Sequence, residues 1–139
     1  MSATERKVMY KSHAGVIYWD EDAQCVGLEM LSGISSEEYR DFLERALLLL
    51  GEKGAHKLLV DATKMAERFG IGDMLWTETD WWPRCLKVGL TAFAMAVPKA
   101  LDLHLSVDKF AEKFDPESSG YIRKFFTDIN EAREWLRQQ

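Results

Sequence analysis

Residues Ser35–Asp61, SSEEYRDFLERALLLLGEKGAHKLLVD, decide how this chain folds. Ser35 stands three residues before Glu38, the spacing of a capping box. In that device the serine oxygen accepts from a backbone N–H of the first turn, and the glutamate reaches back to the serine's own N–H. Ile34 and Tyr39 occupy the hydrophobic-staple positions on either side. Tyr39, Phe42, Leu43, Ala46, Leu47 and Leu50 then recur at helical spacing, one apolar stripe on an otherwise charged rod. Gly51 and Gly54 supply the stop, because glycine takes the left-handed conformation that ends helices without steric cost. His56–Asp61, HKLLVD, follows as a short buried-looking strand.

The alternation extends both ways from this unit. Upstream, Lys7–Ser12 (KVMYKS), Gly15–Asp20 (GVIYWD) and Gln24–Leu31 (QCVGLEML) are strand-like runs separated by His13-Ala14 and Glu21-Asp22-Ala23, which suit hairpin turns and an antiparallel start. Downstream, Thr91–Val97 (TAFAMAV) carries no charge, as a strand covered on both faces would. Tyr121–Phe126 (YIRKFF) reads as a strand nearer an edge. Ala100, Leu103, Val107, Phe110, Ala111 and Phe114 mark a helix, and Asp128 with Glu131 forms a second capping box ahead of Ile129, Ala132, Trp135 and Leu136. Asp73–Leu86 also reads as helical, with Asp73 as its N-cap and Pro83 expected to break or kink it. Antiparallel strands followed by four βα units predict an α/β domain whose mixed, largely parallel sheet is packed by helices. No low-complexity linker interrupts the pattern, so residues 1–139 read as a single domain.

Composition narrows the function classes. Hydrophobic residues make up 47% and charged residues 29% of 139 positions, the balance of an ordinary globular domain. A formal net charge of −5, with Lys and Arg scattered among Asp and Glu, argues against nucleic acid and against an anionic membrane surface as partners. Two cysteines, Cys25 and Cys85, are too few for a disulfide framework and read as thiols in a reducing compartment. The polar start lacks an apolar signal-peptide core, and Leu47–Leu50 is far too short to span a bilayer, so a cytoplasmic location without a transmembrane segment is expected.

The element order, the KLLVD strand after the long helix, the DWWP stretch at Asp80–Pro83, the AFAMAV strand and the ending FFTDINEAREWL from Phe125 to Leu136 resemble the STAS-like (SpoIIAA-like) domains of bacteria. The resemblance runs from about Gly15 to Leu136. It implies a SpoIIAA-like fold and a regulatory interaction module. In typical members the strand ending in aspartate leads to a loop whose serine a partner kinase phosphorylates. Here Leu59-Val60-Asp61 is followed by Ala62-Thr63-Lys64, and no serine occurs between Asp61 and Leu90. Glu117–Gly120, ESSG, lies before the last strand instead and reads as a polar turn. In chain order the STAS-like domains also resemble the CRAL-TRIO lipid carriers, which implies an apolar pocket between helices and sheet.

Motifs for catalysis are missing. His13, His56 and His104 stand apart at no metal-ligand spacing, so no metal is expected. Gly70-Ile71-Gly72-Asp73 lacks the spacing of a phosphate cradle, which leaves no expected cofactor. Glu78 and Asp80 read as solvated charge on a helix. Asp61 ends a central strand, where open α/β sheets place ligands, and Thr63 follows it; together they either cap a turn or line a binding rim. Trp76, Trp81 and Trp82 are the oddest group. Neighbouring helical positions point about 100 degrees apart, so Trp81 and Trp82 do not easily share one core. The resulting expectation is a non-enzymatic interaction module working through Asp61, Thr63, Trp76, Trp81, Trp82 and Phe110, with a homodimer as one use of an aromatic patch. The alternative is a carrier or sensor of a small apolar ligand or lipid held between helices and sheet. Tryptophans in an exposed patch favour the first; tryptophans lining a cavity favour the second.

Overall fold

The structure, a computed structural model, describes residues 6–65, 70–98 and 122–139. The helix expected around Phe110, the Glu117–Gly120 turn and His104 lie outside the described residues. Six strands, β1 (Arg6–Ser12), β2 (Gly15–Asp20), β3 (Cys25–Met30), β4 (Lys57–Asp61), β5 (Ala92–Ala96) and β6 (Ile122–Phe126), form one sheet in sequential order. β1, β2 and β3 pair antiparallel, and β3 to β6 pair parallel. The mixed α/β architecture expected from the alternation of elements is therefore the one observed. Among the described residues, no helix is long and apolar enough to cross a membrane.

Local chemistry builds the elements as their residues predict. In α1 (Ser36–Lys53), the Glu38 N–H donates to Ser35 Oγ at 3.1 Å and the Ser35 N–H donates to Glu38 Oε1 at 2.9 Å, closing the capping box. Gly54 ends the helix with φ of 58°, the left-handed conformation that an L side chain resists. Tyr39, Phe42, Leu43, Ala46, Leu49 and Leu50 bury the inner face of α1, while Leu47 is only half buried. Asp128 caps α4 (Ile129–Arg137) by accepting from the N–H groups of Asn130 and Glu131.

The two faces of the sheet are covered differently. Ile17, Val26, Leu28, Leu58, Val60, Phe93 and Met95 meet α1 and the helical run after β4 in the main core. Cys25, Leu59, Ala92 and Ala94 pack with Ala132 and Leu136 of α4 on the opposite face. Both cysteines are buried, and burial pushes each thiol up to about 12, so neither is a thiolate nucleophile near neutral pH.

On that second face Gly27 sits directly opposite Tyr18, and the phenol ring lies where a side chain at Gly27 would start. A Cβ there would come within 2.1 Å of the ring, whose other face carries the Arg6 guanidinium at 3.8 Å. Gly27→Ala is expected to destabilise the domain by about 1–3 kcal/mol through overpacking. A lower urea midpoint with unchanged slope would show it, whereas an unchanged midpoint would mean that the ring can move aside.

The run after β4 departs from expectation at its cap. Gly70, not Asp73, holds the N-cap position of α2 (Ile71–Trp76). Asp73 is instead drawn to α1, accepting from Ser36 Oγ at 2.6 Å and from Arg40 Nε at 3.1 Å. Of the break or kink expected at Pro83, the break does not occur. α2 runs through a π-helical turn, Thr77–Trp81, into α3 (Trp82–Lys87), with helical dihedrals maintained across both junctions. The wider turn lies just ahead of Pro83, where the hydrogen-bond ladder already changes step and can pass a residue that has no N–H.

Candidate functional site

The π turn shapes the most distinctive site among the described residues. It re-phases the helix so that Thr77, Glu78, Trp81 and Trp82 all face inward onto one cavity. Tyr39 and Leu43 of α1 and Met74 of α2 complete the helical side. Met30, Val60, Phe93, Met95, Arg123 and Phe125 form the sheet side, contributed by β3 to β6. The cavity volume is about 90 Å³.

Both tryptophans are buried despite being neighbours. Their ring centroids lie 5.9 Å apart, and each anchors to a different layer. Trp81 Nε1 donates to the Leu43 carbonyl of α1 at 2.7 Å. Trp82 reaches down to the sheet, edge-to-face on Phe93 at 4.7 Å. The widened helical turn and the gap between α1 and the sheet let both enter one core, which ideal α-helical spacing would not. Trp76 lies apart from them: half buried, edge-to-face with Tyr39 at 6.3 Å, its ring under the Arg40 guanidinium at 5.1 Å.

Among the described residues, polar groups in the wall are few. Thr77 Oγ1 donates to the Asp73 carbonyl at 2.7 Å, so its single proton is committed and Tyr39 is the donor in their 2.6 Å contact. Arg123 Nη1 donates to both oxygens of Glu78, at 3.1 and 3.2 Å. The Arg123 side chain is only 4% exposed, and that of Glu78 16%. Burial raises the Glu78 carboxyl above its usual range, and the charge and hydrogen bonds of Arg123 only partly oppose the shift.

Asp61 and Thr63 come together elsewhere. Asp61 Oδ1 accepts from the Thr63 N–H at 3.0 Å and from Thr63 Oγ1 at 2.5 Å, closing the turn after β4. Val60 faces the cavity, so its neighbour Asp61 points to the opposite face of the sheet. Among the described strands, β3 to β6 follow one another without a reversal of order, so they create no switch-point crevice at Asp61. The structure thus unites Trp81 and Trp82 and separates them from Trp76 and from the Asp61–Thr63 turn. Phe110 lies outside the described residues.

Sequence reasoning passed over Glu78 and Arg123, reading the glutamate as surface charge. Two signals were present: Arg123 alternates with Phe125 on one strand face, and Glu78 follows Met74 and precedes Trp82 at four-residue spacing. Among the described residues no trio of His, Cys, Asp or Glu is placed to hold a metal ion. No family model, curated protein or solved structure matches the chain.

Proposed function

We propose that this domain is a carrier or sensor of a small, mostly apolar molecule held between the helical layer and the sheet. One observation carries the reading: Trp81 and Trp82 line an apolar cavity instead of forming a surface patch. Size sets the class of occupant. An apolar cavity of about 150 Å³ accepts benzene, so the present 90 Å³ as it stands suits a smaller molecule, and a single aromatic ring only once the wall gives way, not a whole lipid. Met30, Met74 and Met95 in the wall can repack around somewhat larger guests, because the thioether chain is unbranched and soft. Kinship with the STAS-like domains belongs to the same proposal and is supported by the antiparallel strands followed by parallel βα units. An interaction-module role retains Trp76 and the exposed Leu75 beside it, a smaller surface than three tryptophans would make.

Native mass spectrometry of gently purified protein, repeated after denaturation, tests the reading. The expected result is an added mass that leaves on unfolding. With benzyl alcohol as a probe, saturation to about a hundred times Kd should stabilise the fold by about 2.7 kcal/mol, read as a raised thermal midpoint. A bare spectrum together with an unmoved midpoint would overturn the proposal.

A further inference from the structure

We propose that the cavity's occupant is a small apolar carboxylic acid, whose carboxylate takes the place of Glu78 on Arg123. The inference rests on the cavity being a ligand site and names the chemistry of that ligand.

The asymmetry of the ion pair carries it. Arg123 is rooted in β6 with 4% of its side chain exposed, and a guanidinium stays charged at any ordinary pH. It lies against the Trp82 ring, with its carbon 5.5 Å from the ring centroid, so packing holds it in the wall. Glu78 belongs to the π turn and keeps 16% exposure, so it can swing toward solvent while Arg123 cannot. Its raised carboxyl shows that burial outweighs what Arg123 returns to it. An incoming carboxylate attached to an apolar body carries its own compensation, because the body fills the space between Trp81, Phe93 and Met95 as the head meets Arg123. The planar guanidinium fork suits that head, offering paired donors to two oxygens. Among the described residues, Arg40 and Asp73 on the helical side pair with each other at 3.1 Å. Tyr39 already donates to Thr77.

In this arrangement Glu78 acts as a built-in competitor for the Arg123 guanidinium until ligand arrives. Removing its charge should therefore favour the acid and leave a neutral analogue of the same shape alone. Calorimetric titration with benzoate and with benzyl alcohol, on the wild type and on Glu78→Gln, reads this difference. We expect Glu78→Gln to bind benzoate about tenfold more tightly than the wild type, with benzyl alcohol changed by less than about twofold. Arg123→Met should lose benzoate and retain benzyl alcohol; if that variant does not fold, Glu78→Gln alone decides. Benzyl alcohol binding with no gain for benzoate in Glu78→Gln would overturn the carboxylate assignment and leave the cavity reading standing. Failure of both probes on both folded proteins would overturn the two together.

Discussion

Trp82→Ala is expected to lower the stability of the domain by about 3–5 kcal/mol, the cost of deleting a large aromatic from a close-packed core. Trp82 is 4% exposed and joins the helical layer to the sheet through Phe93, with Trp81 beside it and Arg123 against its ring. Truncation would also enlarge the existing cavity, since the ring forms part of its wall. A second result follows from that: benzene or indole should stabilise the variant more than the wild type by filling the new space. Urea denaturation with and without the probe measures both effects. A loss below about 1 kcal/mol would show that Trp82 is not part of the core, contrary to its burial.

The other large effect belongs to a pair with no role in the cavity. Asp20, at the end of β2, is completely buried and accepts from Arg133 of α4 at 2.7 and 3.1 Å. It also accepts from the Ala23 N–H at 3.0 Å, which fixes the turn into β3. Arg133 continues to Asp22 at 3.0 Å, so one guanidinium ties α4 to the β2–β3 turn. The hydrogen bonds to Asp20, foremost, make the Arg133 guanidinium hold its proton more tightly than arginine ordinarily does. Asp20→Ala should cost about 2–4 kcal/mol, because it removes the charge-assisted hydrogen bonds that tie Arg133 to β2 and orphans a backbone donor. Adding Arg133→Met should recover part of that loss, since removing both charges is less harmful than removing one. A double variant no more stable than Asp20→Ala in denaturant titrations would show that the turn, not the ion pair, carries the energy.

Legibility in the sequence followed the range of the interactions. Ser35 with Glu38, the left-handed Gly54 and the Asp128 cap act within a turn of the residues that specify them, so their elements could be read directly. The same holds for the strands, whose alternation and hairpin residues are local, and for the order of elements that makes the sheet mixed. The Asp61–Thr63 turn was legible as one of two readings, because both partners lie two residues apart.

Longer-range pairings were not legible in this way. Arg123 lies 45 residues from Glu78, and Arg133 lies 113 residues from Asp20; each looks like ordinary surface charge until the chain folds. Asp73 shows the same limit in miniature, since a good capping residue was taken instead by Ser36 and Arg40 of α1. The π turn is the clearest case. Nothing within Thr77–Trp81 demands a wider helix, but burying Trp81 against α1 and Trp82 against Phe93 calls for the shift in phase. By itself the sequence determined the elements, their order and the apolar faces they present, because hydrogen bonds and periodicity act over a few residues. Tertiary structure alone decided which charges are buried and where the tryptophans point, because those depend on surfaces that meet only when distant segments pack.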